Sequence, residues 1–352
     1  MRKTANLLIG ALAAASLSVA AQAQTTITVS TWAGPNHGIN TIVWPTWKAW
    51  IEEATEGRVT LDVVHDMGPP ASQMEIVADG IADATWVFHG YNTGRFELTK
   101  LPEFPTFEDF SSEHASAAYW RTHQEHLAQA GEHRGVDVVA AGVHGPGWIF
   151  SREQYSTLDD LMSKRIRVGG GVMGDLSNAL ELTGVALPPT SVYEAGSQGV
   201  IDGAMLVPEG LRSFRVAEVF PHTLKVDGGF YRGSFTIVVN PTIWDRISPE
   251  DREAIEAVSG ERLSRLFGYM MDTVDVRGVA FAEERGHTFT ELNGSDLDTL
   301  RDISDALVQE WAETVSESRG VDGVAAMQYF HEQLAAAAEE ESVASLVPQE
   351  FL

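Results

Sequence analysis

Apolar residues in the first part of the chain follow two spacings, which predict strands and helices in alternation. Three runs, at 26–31, 59–64 and 84–88, predict strands. Between them, the segments 39–55 and 72–80 have the spacing of helices that pack on one face. A strand–helix–strand–helix–strand order favours an α/β unit with a mainly parallel sheet.

A second series of patterns follows a helical stretch at 112–130 and again mixes strands with helices. Its predicted strands or extended segments lie at 137–142, 148–151, 165–168, 186–188, 201–207 and 234–240, and its predicted helices at 158–162, 174–183 and 191–199.

A strong helix start occurs at Ser248-Pro249-Glu250-Asp251. Serine can cap a helix, proline suits its first position, and acidic residues suit the positive end of its dipole. The helical pattern continues to about Glu284, which at ~1.5 Å per residue predicts one helix of roughly 50 Å. A helix of that length is expected to run along two lobes.

Residues 1–23 have the layout of a secretory signal peptide. Arg2 and Lys3 precede an uncharged apolar stretch at 7–20, and Ala21-Gln22-Ala23 fits the small-x-small cleavage pattern. The alternative, a membrane anchor, is disfavoured because a spanning helix needs about 20 apolar residues. The mature chain is therefore expected to begin at Gln24, without insertion into the membrane.

Charge and cysteine content exclude several classes of protein. The chain has 24 Lys and Arg against 50 Asp and Glu, a net charge of −26, and loss of the two basic residues in 1–23 would make it −28. Such a surface repels nucleic acid and anionic lipid. The absence of cysteine excludes disulfides, thiol catalysis and cysteine-ligated metals. The length predicts two lobes, because single cores stop growing near ~250–300 residues.

Gly169, Gly171 and Gly174 spell G-x-G-x-x-G between a predicted strand and helix. The pattern is that of a dinucleotide site, but the next extended segment, 187–189, contains no acidic residue to hold a ribose. The favoured interpretation is a flexible turn beside a ligand site, where glycines allow close approach to the backbone.

Histidine motifs suggest metals but have simpler explanations. His123, His126 and His133 lie in a polar helical stretch, which favours a solvated face. His331-Glu332 begins a zinc-protease motif, but Ala335 stands where its second histidine is needed. No nucleophile elbow is present either, so nothing in the sequence requires an enzyme.

Arg167 ends a predicted strand just before the glycines. Ligands gather at the carboxyl ends of strands in open α/β sheets, and a guanidinium there can hold a carboxylate with two hydrogen bonds. The alternative is an ordinary surface ion pair. Aromatic and histidine side chains cluster at the ends of other predicted strands and can form either pocket walls or core: Trp32, Trp86, Phe88, His89, Tyr91, Trp148 and Phe150.

A series of segments resembles the substrate-binding proteins of tripartite ATP-independent periplasmic (TRAP) transporters. The series spans nearly the whole mature chain, and 158–203 is its most specific part. It consists of 158–168 (LDDLMSKRIRV), 185–189, Val192-Tyr193-Glu194-Ala195, 198–203 (QGVIDG), Val239-Asn240, Trp244-Asp245 and Ser248-Pro249-Glu250-Asp251.

The resemblance implies a two-lobed α/β fold of the periplasmic-binding-protein type, with a long bracing helix. The first lobe would comprise 24–145 and roughly 232–260. The second would comprise 146–231 and part of 285–352, with the helix 248–284 spanning both. The resemblance also implies a periplasmic solute-binding protein that delivers an organic acid to the membrane subunits of a TRAP permease. An ABC-type binding protein is the nearest alternative, followed by an exported hydrolase or a ligand-sensing receptor partner.

The resemblance assigns the carboxylate-binding arginine to Arg167. No metal or other cofactor is expected, because Met205-Leu206 stand where cation-using relatives have Glu-Trp. The apolar walls favour a monocarboxylate with an apolar or aromatic body, or one with a cationic group, and a second carboxylate would need Arg95 or Arg232. The expected ligand-binding residues are Arg167, Trp32, Phe88, His89, Tyr91, His144, Trp148, Gly169, Met205 and Tyr231.

Overall fold

The computed structural model describes residues 24–108 and 110–352. The signal peptide expected at 1–23 lies outside the described residues. No helix of the described part is both long enough and apolar enough to cross a membrane.

Eleven strands are present in the described ranges. They are β1 (Thr25–Thr31), β2 (Val59–His65), β3 (Ala84–Phe88), β4 (Asp137–Val143), β5 (Trp148–Ser151), β6 (Arg165–Val168), β7 (Thr183–Ala186), β8 (Gly203–Leu206), β9 (His222–Lys225), β10 (Ser234–Val239) and β11 (Thr288–Glu291).

Ten α-helices accompany these strands in the same ranges. They are α1 (Trp44–Ala54), α2 (Gln73–Ala78), α3 (Ser112–Thr122), α4 (Val172–Ala179), α5 (Val192–Ser197), α6 (Gly210–Ser213), α7 (Pro249–Ala257), α8 (Gly260–Glu283), α9 (Gly294–Arg319) and α10 (Gly323–Ala338).

The strands form two mixed sheets, which confirms the α/β class. The first has the order β2-β1-β3-β10-β4, with β1 parallel to β2 and β3 and with β10 antiparallel to both of its neighbours. The second has the order β11-β9-β5-β8-β6-β7. We refer to the first sheet with α1–α3 as the first lobe, and to the second sheet with α4–α6 as the second lobe.

Most of the predicted strands coincide with observed ones. The observed β3, β5 and β6 have the predicted bounds. The bounds of the helix predicted at 174–183 were wrong. The observed helix α4 begins at Val172 and ends at Ala179, so Gly174 lies inside it. The last residue of the predicted helix, Thr183, is the first residue of β7. The strands β9 and β11 and the helices α9 and α10 were not predicted.

The single helix predicted from 248 to 284 is two helices. The cap at its start is confirmed, since the Ser248 side chain accepts a hydrogen bond from the Asp251 N–H at 3.1 Å. The chain leaves the helix after Ala257 and starts α8 at Gly260, whose φ is +58°. This backbone region favours glycine, and the chain turns there. The bracing helix is therefore α8, with 24 residues.

The helix α8 contacts both lobes at two glycines. A side chain at Gly268 would place its Cβ 2.2 Å from the Ser112 carbonyl oxygen in α3 of the first lobe. At Gly278 the Cβ would lie 2.1 Å from the carbonyl oxygen of Pro208, just after β8 of the second lobe. Only glycine permits such close approach of backbones, so these positions fix α8 against both lobes.

Candidate functional site

A cavity lies between the two lobes. Many of its residues lie at or just after the carboxyl ends of β1, β3, β4, β6 and β8, the strand ends where α/β sheets bind ligands. Its lining consists of Trp32, His37, Trp86, Phe88, Tyr91, His144, Arg167, Met173, Pro189, Leu206, Val207, Glu209, Phe214, Tyr231, Phe235 and Met271.

Arg167 carries an uncompensated positive charge in this cavity. Its side chain is 1% exposed, and its Nε and Nη1 each donate a 2.8 Å hydrogen bond, to the carbonyl oxygens of Leu187 and Met205. Within residues 24–108 and 110–352 no Asp or Glu side chain forms an ion pair with it. Burying an unpaired charge is costly, and an anion bound in the cavity would remove that cost.

Two tyrosine hydroxyls lie in the electrostatic field of this guanidinium. Burial raises the pKa of Tyr91 to about 12, although the nearby Arg167 opposes the rise. Burial also raises the pKa of Tyr231, whose hydroxyl has no hydrogen-bond partner in the described part of the chain. Both phenols keep their protons at neutral pH, so both can donate to an anion.

His144 adds a neutral imidazole at the same end of the cavity. Burial lowers its pKa to about 3. Its Nδ1 lies 2.7 Å from the Gly145 carbonyl oxygen, an acceptor, so the proton is assigned to Nδ1. The other ring nitrogen, Nε2, is then an acceptor.

Aromatic rings form the walls between the polar groups. Trp32 stacks on Trp86 with ring centroids 4.2 Å apart and an interplanar angle of 4°. Trp86 in turn stacks on Phe235 at 5.4 Å, and Phe88 meets Tyr91 edge-on at 4.6 Å. Neither indole N–H of the Trp32–Trp86 pair has a hydrogen-bond partner among the described residues. The wall is apolar, flat and suited to a planar ligand.

A second polar group, formed by His37 and Glu209, also lines the cavity. The His37 Nε2 lies 3.4 Å from the Glu209 Oε1, and both side chains are buried. The Ile39 N–H donates to the His37 Nδ1 at 3.1 Å, so the proton of the neutral ring belongs on Nε2 and points at Glu209. Burial lowers the pKa of His37, with Glu209 opposing the shift.

Six of the expected ligand-binding residues line the cavity: Trp32, Phe88, Tyr91, His144, Arg167 and Tyr231. Trp86 lines it as well. Their contact with a ligand stays a prediction.

The other expected residues do not line the cavity. Trp148 packs edge-on against Phe289 of β11 at 6.1 Å. Met205 is fully buried in β8 and offers only its backbone carbonyl to Arg167. The backbone N–H of Gly169 lies against the Met173 sulfur. Phe150, considered as a pocket wall, belongs to the core of the second lobe.

His89 turns away from the cavity into a buried histidine cluster. Its Nδ1 lies 2.8 Å from the Ser234 hydroxyl and its Nε2 lies 3.0 Å from the His133 Nε2. The solvated face expected for His123 and His133 was therefore wrong, because both are buried, and burial lowers their pKa values to about 4 and about 3. No group of three or more potential ligands in the described ranges is arranged to hold a metal ion.

The glycine turn at 169–171 lies where the lobes meet. Gly170 and Gly171 have φ of +84° and +60°, and a Cβ at Gly170 would be 2.0 Å from the Gly90 carbonyl oxygen. The glycines thus allow the two lobes to approach each other closely at this point. The second cations considered for a dicarboxylate, Arg95 and Arg232, do not line the cavity, and Arg95 pairs with Glu75 at 2.6 Å.

Sequence reasoning missed several lining residues, including His37, Glu209, Phe214 and Phe235. His37 follows β1 and Glu209 follows β8, so the strand-end rule that selected Arg167 would have found both.

Two α/β lobes that enclose a cavity between their strand ends define the class of solute-binding proteins. The chain belongs to the bacterial extracellular solute-binding protein family 7 (DctP), whose model matches residues 29–314. These are TRAP solute-binding proteins, a family of receptors, so the resemblance found in the sequence is confirmed.

Individual relatives agree with this assignment. A protein of Comamonas testosteroni, called outer membrane transporter protein TsaT, is 28% identical over 329 residues, or 92% of this chain and 96% of the relative. The crystal structure of a TRAP solute-binding protein from Bordetella bronchiseptica with bound (R)- and (S)-mandelate is 30% identical, with a TM-score of 0.85 over 89% of this chain and 99% of that one. A TRAP solute-binding protein from Rhodoferax ferrireducens, in complex with benzoate, has 24% identity and a TM-score of 0.83, covering 90% and 99% of the two chains.

Proposed function

We propose that this protein captures an aromatic monocarboxylate in the periplasm and delivers it to a TRAP-type permease. The buried Arg167 carries the proposal. Its guanidinium faces an aromatic-walled cavity without an acidic partner in the described ranges. A ligand carboxylate would supply the missing charge, with the Tyr91 and Tyr231 hydroxyls as further donors.

The walls favour a flat, apolar body behind the carboxylate. The Trp32–Trp86 stack offers an aromatic ring the geometry that such rings prefer. A sugar acid would leave hydroxyls without partners at ~1–3 kcal/mol each. The mandelate held by the 30% identical Bordetella structure is an aromatic monocarboxylate, which supports this class of ligand.

The direct test is a binding screen by isothermal titration calorimetry with benzoate, mandelate, succinate and a sugar acid. We expect benzoate or mandelate to bind at least about tenfold more tightly than the other two, a difference of ~1.4 kcal/mol. A preference for succinate or the sugar acid would refute the proposal. We also propose that no metal bridges the ligand, since Leu206 lines the cavity with an apolar side chain, so EDTA should leave the affinity unchanged.

Family membership and the signal-peptide pattern at 1–23 support export and delivery. A strain that lacks the gene should lose uptake of the labelled acid and regain it when the full-length chain is supplied. Recovery with a chain that lacks 1–23 would contradict the periplasmic location.

A further inference from the structure

The cavity is lined by a second polar group, Glu209, whose chemistry differs from that of Arg167. Glu209 is 3% exposed. Its Oε1 faces the His37 Nε2–H and accepts a hydrogen bond from the Ser213 hydroxyl. Its other oxygen, Oε2, has no hydrogen-bond partner in the described part of the chain. Glu209 therefore lines the cavity and has one acceptor that is not used within the described part of the protein.

Arg167 and Glu209 line the same cavity but are held by different contacts. Arg167 hydrogen-bonds to backbone carbonyls beside β6 and β8, whereas Glu209 is fixed beyond β8, where its N–H donates to the Asp275 Oδ1 at 2.7 Å. They form no ion pair with each other. A bound monocarboxylate would neutralise Arg167 and leave Glu209 without a donor for its free oxygen.

We propose, building on the function proposed above, that the preferred ligands are aromatic monocarboxylates with a ring hydroxyl, and that Glu209 accepts a hydrogen bond from that hydroxyl. His37 is a positioning residue, because its Nε2–H holds Glu209 Oε1 and turns Oε2 toward the ligand.

A hydroxyl fits this site better than an ammonium group does. A phenol has one donor, which matches the single free oxygen of Glu209, whereas an ammonium group has three donors to satisfy. The other groups around Glu209 are the neutral His37, the Ser213 hydroxyl, the Phe214 ring and the Asp275 carboxyl group. Burial raises the pKa of Asp275 well above its usual range, which favours its neutral form and gives an ammonium group little further charge to pair with. A phenol with a pKa of about 10, like that of tyrosine, keeps its proton at pH 7.

The test compares ligands that differ only in this substituent. Titration calorimetry would give the dissociation constants of benzoate, 3- and 4-hydroxybenzoate, the matching methoxybenzoates and 4-(aminomethyl)benzoate. The better hydroxybenzoate should bind at least about tenfold more tightly than benzoate and than its methoxy counterpart, since hydrogen bonds to charged groups contribute ~1.5–3 kcal/mol. The methoxy compound keeps the oxygen but cannot donate, so this comparison needs no variant.

A variant then assigns the effect to Glu209. In Glu209→Gln the advantage of hydroxybenzoate over benzoate should fall by at least about fivefold, because a charged acceptor becomes neutral. Glu218→Gln is the matched control: it removes an exposed carboxylate nearby and should leave the advantage unchanged.

The outcomes separate this inference from the proposed function. Equal binding of benzoate, hydroxybenzoate and methoxybenzoate would overturn the inference and leave the proposed function intact. No binding of any benzoate would overturn both. Tighter binding of 4-(aminomethyl)benzoate would overturn the choice of a hydroxyl, and an advantage that persists in Glu209→Gln would overturn the role of Glu209.

Discussion

The Glu103 Oε2 accepts a hydrogen bond from the Val172 N–H at 2.9 Å, so a residue held on the first lobe caps the first turn of α4 in the second. Its other oxygen, Oε1, accepts from the Ser234 hydroxyl of β10 at 2.7 Å. The side chain is 1% exposed. The two lobes are thus joined through one buried carboxylate.

This carboxylate should make stability depend on pH. Burial raises the pKa of Glu103 from 4.5 to about 7, despite opposing hydrogen bonds from Ser234 and Val172. The folded protein then binds a proton more tightly than the unfolded chain, so the Glu103 contribution to stability falls as pH rises from 4.5 to about 7. At ~1.4 kcal/mol per pKa unit, the change amounts to about 3 kcal/mol.

The comparison of wild type with Glu103→Gln isolates this contribution. Buried histidines such as His144 act in the opposite direction, because their lowered pKa values make stability fall below about pH 6.5. We expect the stability of wild type relative to the variant, measured by urea unfolding, to decrease between pH 5 and 8. A constant difference would show that Glu103 does not titrate in this window. Glu256→Gln, which removes an exposed carboxylate, serves as the control.

Replacement of Arg167 by glutamine should weaken binding of the carboxylate by at least about 30-fold, because loss of one partner of a buried pair costs ~2–5 kcal/mol. Calorimetric titration with benzoate or mandelate measures the change. Arg165→Gln is the control on the same strand, since Arg165 pairs with Asp202 at the surface and should affect affinity by no more than about twofold. Unchanged affinity in a folded Arg167→Gln protein would contradict the assignment.

Trp32 and Trp148 were both expected at the site, but their replacement by alanine should have different effects on ligand affinity. Trp32→Ala removes one face of the cavity stack and should weaken binding by about tenfold or more, a loss of ~1.4 kcal/mol. Trp148→Ala should lower the melting temperature through lost packing on Phe289 but leave the affinity within about twofold. Equal losses of affinity in both variants would show that the cavity is not the binding site.

Two helical glycines should respond to alanine in opposite directions. A Cβ at Gly174 in α4 meets nothing within 4 Å, so Gly174→Ala should raise the free energy of unfolding by about 0.5–1 kcal/mol. Gly278→Ala in α8 would clash with the Pro208 carbonyl oxygen and should lower it by about 1–3 kcal/mol. Urea titrations measure both, and a stabilised Gly278→Ala protein would refute the described packing of α8.

The sequence predicted the parts of the site that depend on local pattern. Arg167 and Tyr91 were identified because they stand at or just after strand ends, a rule that needs no knowledge of distant contacts. The break between α7 and α8 also had a local signal, since Gly260 lies three residues after the end of α7 and has a positive φ, which glycine adopts readily.

The expected residues that lie outside the cavity are those whose side-chain direction depends on distant segments. His89 directly follows β3, but its partners Ser234 and Thr236 lie on β10, far along the chain. Trp148 is held by Phe289 of β11, a strand too short and too polar to be recognised by its pattern. An aromatic residue after a strand can point into a cavity or pack in the core. Which of the two occurs depends on such contacts with residues far away in the sequence.

The two glycine contacts of α8 have a mechanical consequence. Gly268 is fixed to the first lobe and Gly278 to the second, so any separation of the lobes must bend the short stretch of helix between them or dislodge one contact. Met271, within that stretch, lines the cavity, whereas Val276 on the same stretch is 71% exposed. The stretch of α8 that would have to bend therefore borders the cavity on one side and faces solvent on the other.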